Sequence, residues 1–585
     1  MPLVLILALI LSTGVDLMGA GRTSDASLHL SFRHVINGKP LLSDSLRYRN
    51  AGGEVYSVTR VSYLLSGFAM ETLDGNLIEI PEQSAWIDVG ARRTSVHIPG
   101  IPRAKYRSMR FFIGPDTSDN ERDPASFAPE HPFNPNTNGL HWSWQGGFIF
   151  LALEGKFRSE TSPLSGFSYH LARSPNRTPI TMAGNFDLNH PLSCVVDFDI
   201  ATLLNAPDRL IFERDGNSTH SRDGDPIARA LASNLPGAFQ VYRIVSRAPE
   251  IVHASEIKPL YLPSVINAFP FRLSRSFPIP KLPRDNPLLQ ERVDLGRQLF
   301  DETALSRDNS ISCASCHLRQ KALADPRRVS LGVEGRAGTR NAMPLFNLAW
   351  KSNFFWDGRA ASLREQALMP IEDHSEMDEA IENVIVKLSK QQGYREAFGK
   401  AFDSSRITGE RIGLAIENFL LTQTSYQSKF DRVRAGEARF SKQERRGFEL
   451  FMTEYEPRSQ RFGADCFHCH GGVLFSDHQF HNNGLETAGD GDLGRFVVTR
   501  NEGDRGKFAT PSLRNIALTA PYMHDGRFSN LTEVVNHYNR GIQRSPTLDA
   551  NLAKHPMDGL GLSKDDVAAL VAFLETLTDA QFVEN

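Results

Sequence analysis

Two pentapeptides, Cys313-Ala314-Ser315-Cys316-His317 and Cys466-Phe467-His468-Cys469-His470, constrain this chain more than any other feature. Both are C-x-x-C-H. In that spacing two thiols can form thioethers with the vinyl groups of a haem while the adjoining histidine ligates its iron. Zinc would want paired C-x-x-C units converging on a tetrahedral site, and a thioredoxin-like redox pair does not need the histidine. The chain has only five cysteines in 585 residues, which rules out a disulfide framework. Cys194, the one outside the motifs, reads as a buried structural thiol. The expectation is two covalently bound haem c groups, with His317 and His470 on iron.

The rest of the chain divides by pattern. Residues 25–245 read as β: Leu28-His29-Leu30-Ser31-Phe32 alternates, Gly52-Gly53 and Asp74-Gly75 mark turns, and Tyr106 to Ile113 is a further apolar run. Short strands between turn signals suggest a sandwich or barrel. Residues 246–282 are rich in proline and cannot form one helix, so they read as a linker lying over the surface. Beyond them, Leu288 to Phe300, Glu379 to Lys390, Arg411 to Leu421, Lys442 to Met452 and Lys564 to Leu577 carry apolar residues at helical spacing. The fold class expected is multidomain. An all-β module precedes an all-α tandem cytochrome module, whose two domains, 283–430 and 431–585, each hold one haem motif.

A hydrophobic fraction of 40% argues against disorder, and a net charge of -3 argues against a dedicated nucleic-acid binder. The run from Leu3 to Leu11, about nine residues, is too short for a bilayer core of roughly 30 Å. With the small residues ending at Ala20 it reads as a secretory signal, residues 1–20, although no Lys or Arg precedes it. A buried N-terminal strand is the alternative. The expectation is an exported, periplasmic protein with no membrane span after cleavage. At the first haem, the 24 residues from Leu318 to Asn341 contain no His and no Met, which implies an open iron position that peroxide can reach.

Several further motifs are distinctive: Asp285-Asn286-Pro287, Leu295-Gly296-Arg297-Gln298-Leu299-Phe300, Arg340-Asn341, Phe355-Trp356-Asp357-Gly358-Arg359, Leu513-Arg514-Asn515 and Pro521-Tyr522-Met523-His524-Asp525-Gly526. Through them the stretch from about Pro283 to Phe582 resembles the bacterial di-haem cytochrome c peroxidases and, more closely, their MauG-like relatives. The resemblance implies a reaction with hydrogen peroxide at the first haem. Glu376 would be the proton shuttle, with Gln366 and Pro370 beside it on the distal side and Trp356 between the haems. By residue type alone, Glu376 is an ordinary helix-end charge and Trp356 ordinary core. The resemblance also implies a Ca²⁺ held by the Asn341 side chain and the carbonyls of Thr519 and Pro521. It places Tyr538 as distal ligand of the second haem, with Met523 as the alternative. A thioether raises the iron's potential and suits plain electron transfer; a phenolate does not. Where some MauG-like enzymes have a tryptophan just before the second motif, this chain has Ala464, so no exit route for oxidation is assigned.

In the β module, His131-Pro132-Phe133-Asn134-Pro135, Gly139-Leu140-His141-Trp142-Ser143-Trp144-Gln145-Gly146-Gly147, Phe150 to Gly155 and Tyr169-His170-Leu171 resemble the MbnP family of copper-associated periplasmic proteins. That family is paired with a MauG-like di-haem partner that oxidises one of its tryptophans to kynurenine. The resemblance makes His131, His141, His170 and His34 candidate copper ligands, and Trp142 or Trp144 the candidate oxidised residue. Each of these also reads as an ordinary core residue. Three functions follow. The first is a peroxide-dependent oxidase acting on its own β domain or a copper protein. The second is a cytochrome c peroxidase drawing electrons from a small cytochrome c or cupredoxin. The third is a non-enzymatic copper-binding electron carrier.

Overall fold

A computed structural model of the chain describes residues 3–5, 25–142, 146–160, 164–246, 260–485 and 491–583. It separates into two compact units.

The β unit is a sandwich. Its larger sheet has nine strands and is centred on the 18-residue strand Val55–Thr72, which pairs with Ile149–Arg158 on one side and Lys105–Ile113 on the other. The smaller sheet has five strands and places Ala26–Ile36 parallel to Leu192–Asp199. Leu28, Leu30 and Phe32 alternate inward along one strand, as the period of two requires. Phe32 meets Tyr63 and Phe111 of the other sheet edge-on, with ring centroids 5.8 and 6.1 Å apart. Cys194 lies fully buried in this core, and burial pushes its thiol up to about 12, as a structural cysteine requires. The helix Pro226–Ala238 was not readable as such. It begins where the Asp225 carboxylate accepts the N–H groups of Ile227 and Ala228, with proline at its first position.

The boundaries differ from expectation in two places. Residues 548–556 belong to the β unit and not to the second cytochrome domain. There the buried Lys156 ammonium donates to the Leu548 carbonyl at 3.0 Å. The proline-rich stretch, from 260 onward, lies at the surface only in part, with residues 264–268 exposed, and is otherwise built into the helical unit. Phe271, Leu273 and Phe277 are buried in the helical core. Arg292, itself fully buried, donates to the carbonyls of Leu260 and Tyr261 at 2.9 and 2.5 Å. Proline bars a helix there, not burial. Residues 247–259 and nearly all of 1–20 lie outside the described residues. Of the proposed signal only Leu3–Leu5 is described, as a strand antiparallel to Phe271–Leu273.

The helical unit repeats one crossing. Gln290–Phe300 packs on Gly409–Leu421 in the first cytochrome domain, and Lys442–Phe451 packs on Lys564–Glu575 in the second. At each crossing a glycine lets two backbones touch. A Cβ on Gly296 would come within 2.0 Å of the Ala415 carbonyl oxygen, and one on Gly447 within 1.9 Å of that of Ala569. Between the crossings, Arg514, with no exposed surface, forms a two-pronged pair with Asp431 at 2.8 Å on both arms and donates to the Val473 carbonyl at 2.7 Å. Among the described residues no helix is long and apolar enough to cross a membrane.

Gly296→Ala or Gly447→Ala should therefore cost about 2–3 kcal/mol through overpacking. Gly393→Ala, in a helix with nothing within 4 Å of its new methyl, should be neutral or mildly stabilising. Chemical denaturation of the purified protein checks both; equal effects would remove the glycine crossing as a constraint.

Candidate active site

The first motif folds as a single tight turn, Cys313–Ser315, closed by the His317 N–H donating to the Cys313 carbonyl at 3.0 Å. This turn brings Cys313, Cys316 and His317 to the wall of a cavity of about 660 Å³, ample for a cofactor-sized ligand. The His317 Nδ1 lies 2.8 Å from the Leu323 carbonyl. A carbonyl only accepts, so Nδ1 carries the proton and Nε2 keeps its lone pair for a metal. Burial holds this imidazole's pKa below its usual value, which keeps it neutral. The second motif repeats the device: the turn Cys466–His468 delivers His470, whose Nδ1 donates to the Phe475 carbonyl at 3.1 Å. Leu323 and Phe475 both hold left-handed backbone, φ 59° and 51°, a conformation that side chains of this kind seldom adopt. The residues present fit two haems.

In the wall of the same cavity, the helix Leu363–Glu372 starts at a Ser362 cap and presents Gln366 and Pro370 one turn apart on one face. The turn that follows is tightly held. Glu376 N–H donates to the Asp373 carbonyl at 3.0 Å, and the Glu376 carbonyl accepts the Val333 N–H at 2.8 Å. Gly332 lies so close that a Cβ there would fall 2.4 Å from that same carbonyl oxygen. Burial, and then the charge of Asp373, push the Glu376 carboxyl up to about 7, against a smaller opposing pull from Arg359. A buried carboxyl poised near neutrality in the wall of a cavity suits general acid–base work. Met343 and Met377 also line this cavity, beyond the interval in which no thioether occurs. Met377 packs into the helical core.

Trp356 stands in the same wall, stitched at both ends. Its indole N–H donates to the Asn341 carbonyl at 2.8 Å, and its own carbonyl accepts the Ala509 N–H at 2.8 Å. Asn341 N–H in turn donates to the His524 carbonyl at 2.7 Å, which brings Asn341 beside the turn that carries Thr519 and Pro521. The Asn341 amide spends its N–H groups on the carbonyls of Arg327 and Arg328, both at 3.2 Å, which leaves its oxygen as an acceptor of the kind Ca²⁺ takes. Tyr538 lies in a π turn, His537–Gly541. Its hydroxyl is 3.4 Å from the Asn483 amide nitrogen, and the Met523 sulfur is 3.5 Å from the same atom. Both candidate ligands of the second iron thus converge on one point. Burial, with smaller contributions from Cys469 and Cys466, pushes the Tyr538 phenol up to about 12.

In the β unit, no three of His34, His131, His141 and His170 present ring nitrogens within 4.8 Å of one another among the described residues. His34 bonds the Tyr63 hydroxyl at 3.2 Å, His131 accepts the Phe133 N–H at 3.0 Å, and His141 packs on Phe148. These three serve the packing of the sandwich. His170 does have an imidazole neighbour, His220, at a ring separation of 5.2 Å. Trp142 lies 5.4 Å from His220 and 6.4 Å from His170, and Glu154 bonds His170 at 2.9 Å. His220 was missed because Ser218–Thr219 is a two-residue strand; only its parallel pairing with Ser168 and Tyr169 brings the two histidines level. Trp144 lies outside the described residues.

Residues 290–439 match the family model for di-haem cytochrome c peroxidase, and residues 25–220 match the MbnP model. The chain is 37% identical over 309 residues to methylamine utilization protein MauG of Methylorubrum extorquens, covering 52% of this chain and 83% of that one. It is 34% identical over 309 residues to cytochrome c551 peroxidase of Nitrosomonas europaea, covering 52% and 85%. A crystal structure of a MauG-like protein associated with microbial copper homeostasis shares 34% identity, covers 54% of this chain and 96% of that one, and superposes with a TM-score of 0.48.

Two expectations follow from this geometry. Glu376 must be ionised to accept a proton, so the rate of reaction with peroxide should climb as pH rises through about 7 and then level off. Glu376→Gln should flatten that profile and slow the reaction by about 10²-fold or more; stopped-flow rates across pH check it, and an unchanged profile would exclude the carboxyl. Tyr538→Phe should alter the spectrum of the second haem and spare the first, whereas an effect confined to Met523→Leu would give the ligand role to the thioether.

Proposed function

The chain belongs to the bacterial di-haem cytochrome c peroxidase and MauG family, and from that premise we propose that it is an exported enzyme using hydrogen peroxide to oxidise Trp142 of an MbnP-like β unit to kynurenine. The observation that carries this reading is Glu376: a buried carboxyl, raised to about 7, lining the same cavity as Gln366 and His317. Haem held at Cys313, Cys316 and His317 would supply an iron with which peroxide reacts. Gln366 orients the peroxide by hydrogen bonding. Glu376 would take the proton from one peroxide oxygen and return it to the other, so that the O–O bond could break with release of water, the two electrons for that cleavage coming from the bound haem. Trp356 offers an oxidisable ring between the segments that follow the two motifs. Tyr538 as a phenolate ligand suits storage of oxidising equivalents better than a thioether would.

Conversion of tryptophan to kynurenine adds two oxygen atoms from two molecules of peroxide, each reduced to water, and opens the pyrrole ring. Hydrolysis of the formyl group then releases formate. The product would set a ketone and an aniline beside His170 and His220, a nitrogen-rich donor set suited to copper. Ca²⁺ at Asn341, Thr519 and Pro521 would brace the region around Trp356. The second reading is a cytochrome c peroxidase fed by a small cytochrome or cupredoxin. Met523, as close to Asn483 as Tyr538 is, favours it.

Peptide mapping by mass spectrometry of the haem-loaded protein, before and after peroxide, separates the two. The first reading expects a mass change confined to the Trp142 peptide, absent in Trp142→Phe and strongly reduced in Glu376→Gln. An unmodified Trp142 with stoichiometric consumption of reduced cytochrome c would establish the second.

A further inference from the structure

Lys351 lines two cavities at once, the large one around His317 and a small one of about 30 Å³ shared with His478, Ser476, Thr510 and Ser512. The smaller space has room for about two water-sized groups, or for the two oxygens of one carboxylate. The other cations in the wall of the large cavity have carboxylate partners. Arg340 pairs with Asp357 at 2.7 Å and with Asp492 at 2.5 Å, and Arg359 pairs with Asp357 at 3.2 Å. The Lys351 backbone N–H donates to the Leu348 carbonyl at 3.1 Å, but its ammonium has no ion pair and no hydrogen bond among the described residues. Burial draws its pKa down to about 8.

His478 repeats the anomaly from the other wall. Both ring nitrogens are buried without a hydrogen-bond partner, although its backbone N–H is anchored on the Ser476 hydroxyl at 3.1 Å. Its charged neighbours are Lys351, which opposes its protonation, and Asp477, whose carboxylate is engaged by His481 at 2.8 Å. Two basic groups facing one small, mostly apolar space, with no carboxylate side chain in its lining, are expensive to bury. The cost disappears if an anion enters. A haem tethered to Cys313 and Cys316 would enter the cavity that Lys351 lines, bringing two propionate arms that would need partners in a low-dielectric wall.

We infer that Lys351 and His478 form an anion seat that receives a carboxylate, the propionate of the haem attached at Cys313 and Cys316. This rests on haem attachment at the first motif. A free carboxylate from solution is the other source of the same chemistry. Lys351 is a positioning and charge-setting residue here. Its ammonium would add positive charge beside a haem bound in this cavity, favouring the reduced state, and its hydrogen bond would hold the carboxylate in place.

Spectroelectrochemistry and resonance Raman spectroscopy of the haem-loaded full chain test the seat. Lys351→Met should lower the midpoint potential of one haem and shift its propionate bending band, and Lys351→Arg should restore both. His478→Phe should shift the band as well. A wild-type potential that changes with added acetate at constant ionic strength would identify a free carboxylate as the occupant, whereas an indifferent one identifies the haem's own arm. An unmoved potential and band in both Lys351→Met and His478→Phe would overturn the seat. So would a low-spin iron signal that vanishes in Lys351→Met, since that would place the amine on the metal. A pyridine haemochrome count on the same samples separates the two levels. Two haems with unmoved spectra defeat only the seat, while fewer than two per chain defeat the attachment beneath it.

Discussion

The orientation of two imidazoles governs the helical unit. His317 and His470 each spend Nδ1–H on a backbone carbonyl, of Leu323 and Phe475, and that single hydrogen bond decides which nitrogen is left to bind metal. Both carbonyls come from residues held in left-handed backbone, so the chain accepts local strain at the same structural place in each domain. The surrounding helices are arranged to keep those carbonyls still. Gly296 and Gly447 let the first and last long helices of each domain close on one another, and the buried Arg514–Asp431 pair ties the segment after the second motif to the helix Lys429–Arg434.

Upon that frame the two haem sites differ by what stands opposite the histidine. His317 lines a cavity shared with Glu376, whose backbone is held to Asp373 and Val333 and which is the proposed acid–base group. Around His470 the chain offers Tyr538 and Met523, two oxygen or sulfur donors meeting at Asn483. On the proposed reading, one site would admit a small molecule and the other would present a side chain. Trp356 and Asn341, bonded to each other through the indole N–H and to Ala509 and His524 through backbone hydrogen bonds, join the two halves.

Much of this was legible because the chemistry is local. C-x-x-C-H needs only one turn, and the amphipathic segments from 288, 379, 411, 442 and 564 became helices within two residues of their expected starts. The helix Leu363–Glu372 was hidden by Pro370, which reads as a breaker yet sits in the last turn. Phe277 escaped notice because a proline-rich stretch suggests a surface linker, while its burial is decided by distant partners such as Trp350, whose indole donates to the Pro278 carbonyl at 2.7 Å. His220 and Lys351 were illegible for the same reason. A histidine just after a two-residue strand and a lysine after a short turn look like solvated surface until the fold sets them beside Trp142 and His478.

The central claim is that two tethered haems share one oxidation, with Trp356 between them. Stopped-flow spectroscopy of the fully oxidised protein mixed with one equivalent of hydrogen peroxide tests it most directly, in the wild type and in Trp356→Phe. Shared oxidation requires spectral change at both haems in a single kinetic phase, slowed or confined to the His317 haem when the indole is removed. Change at one haem alone in the wild type, or identical behaviour in the variant, would contradict it.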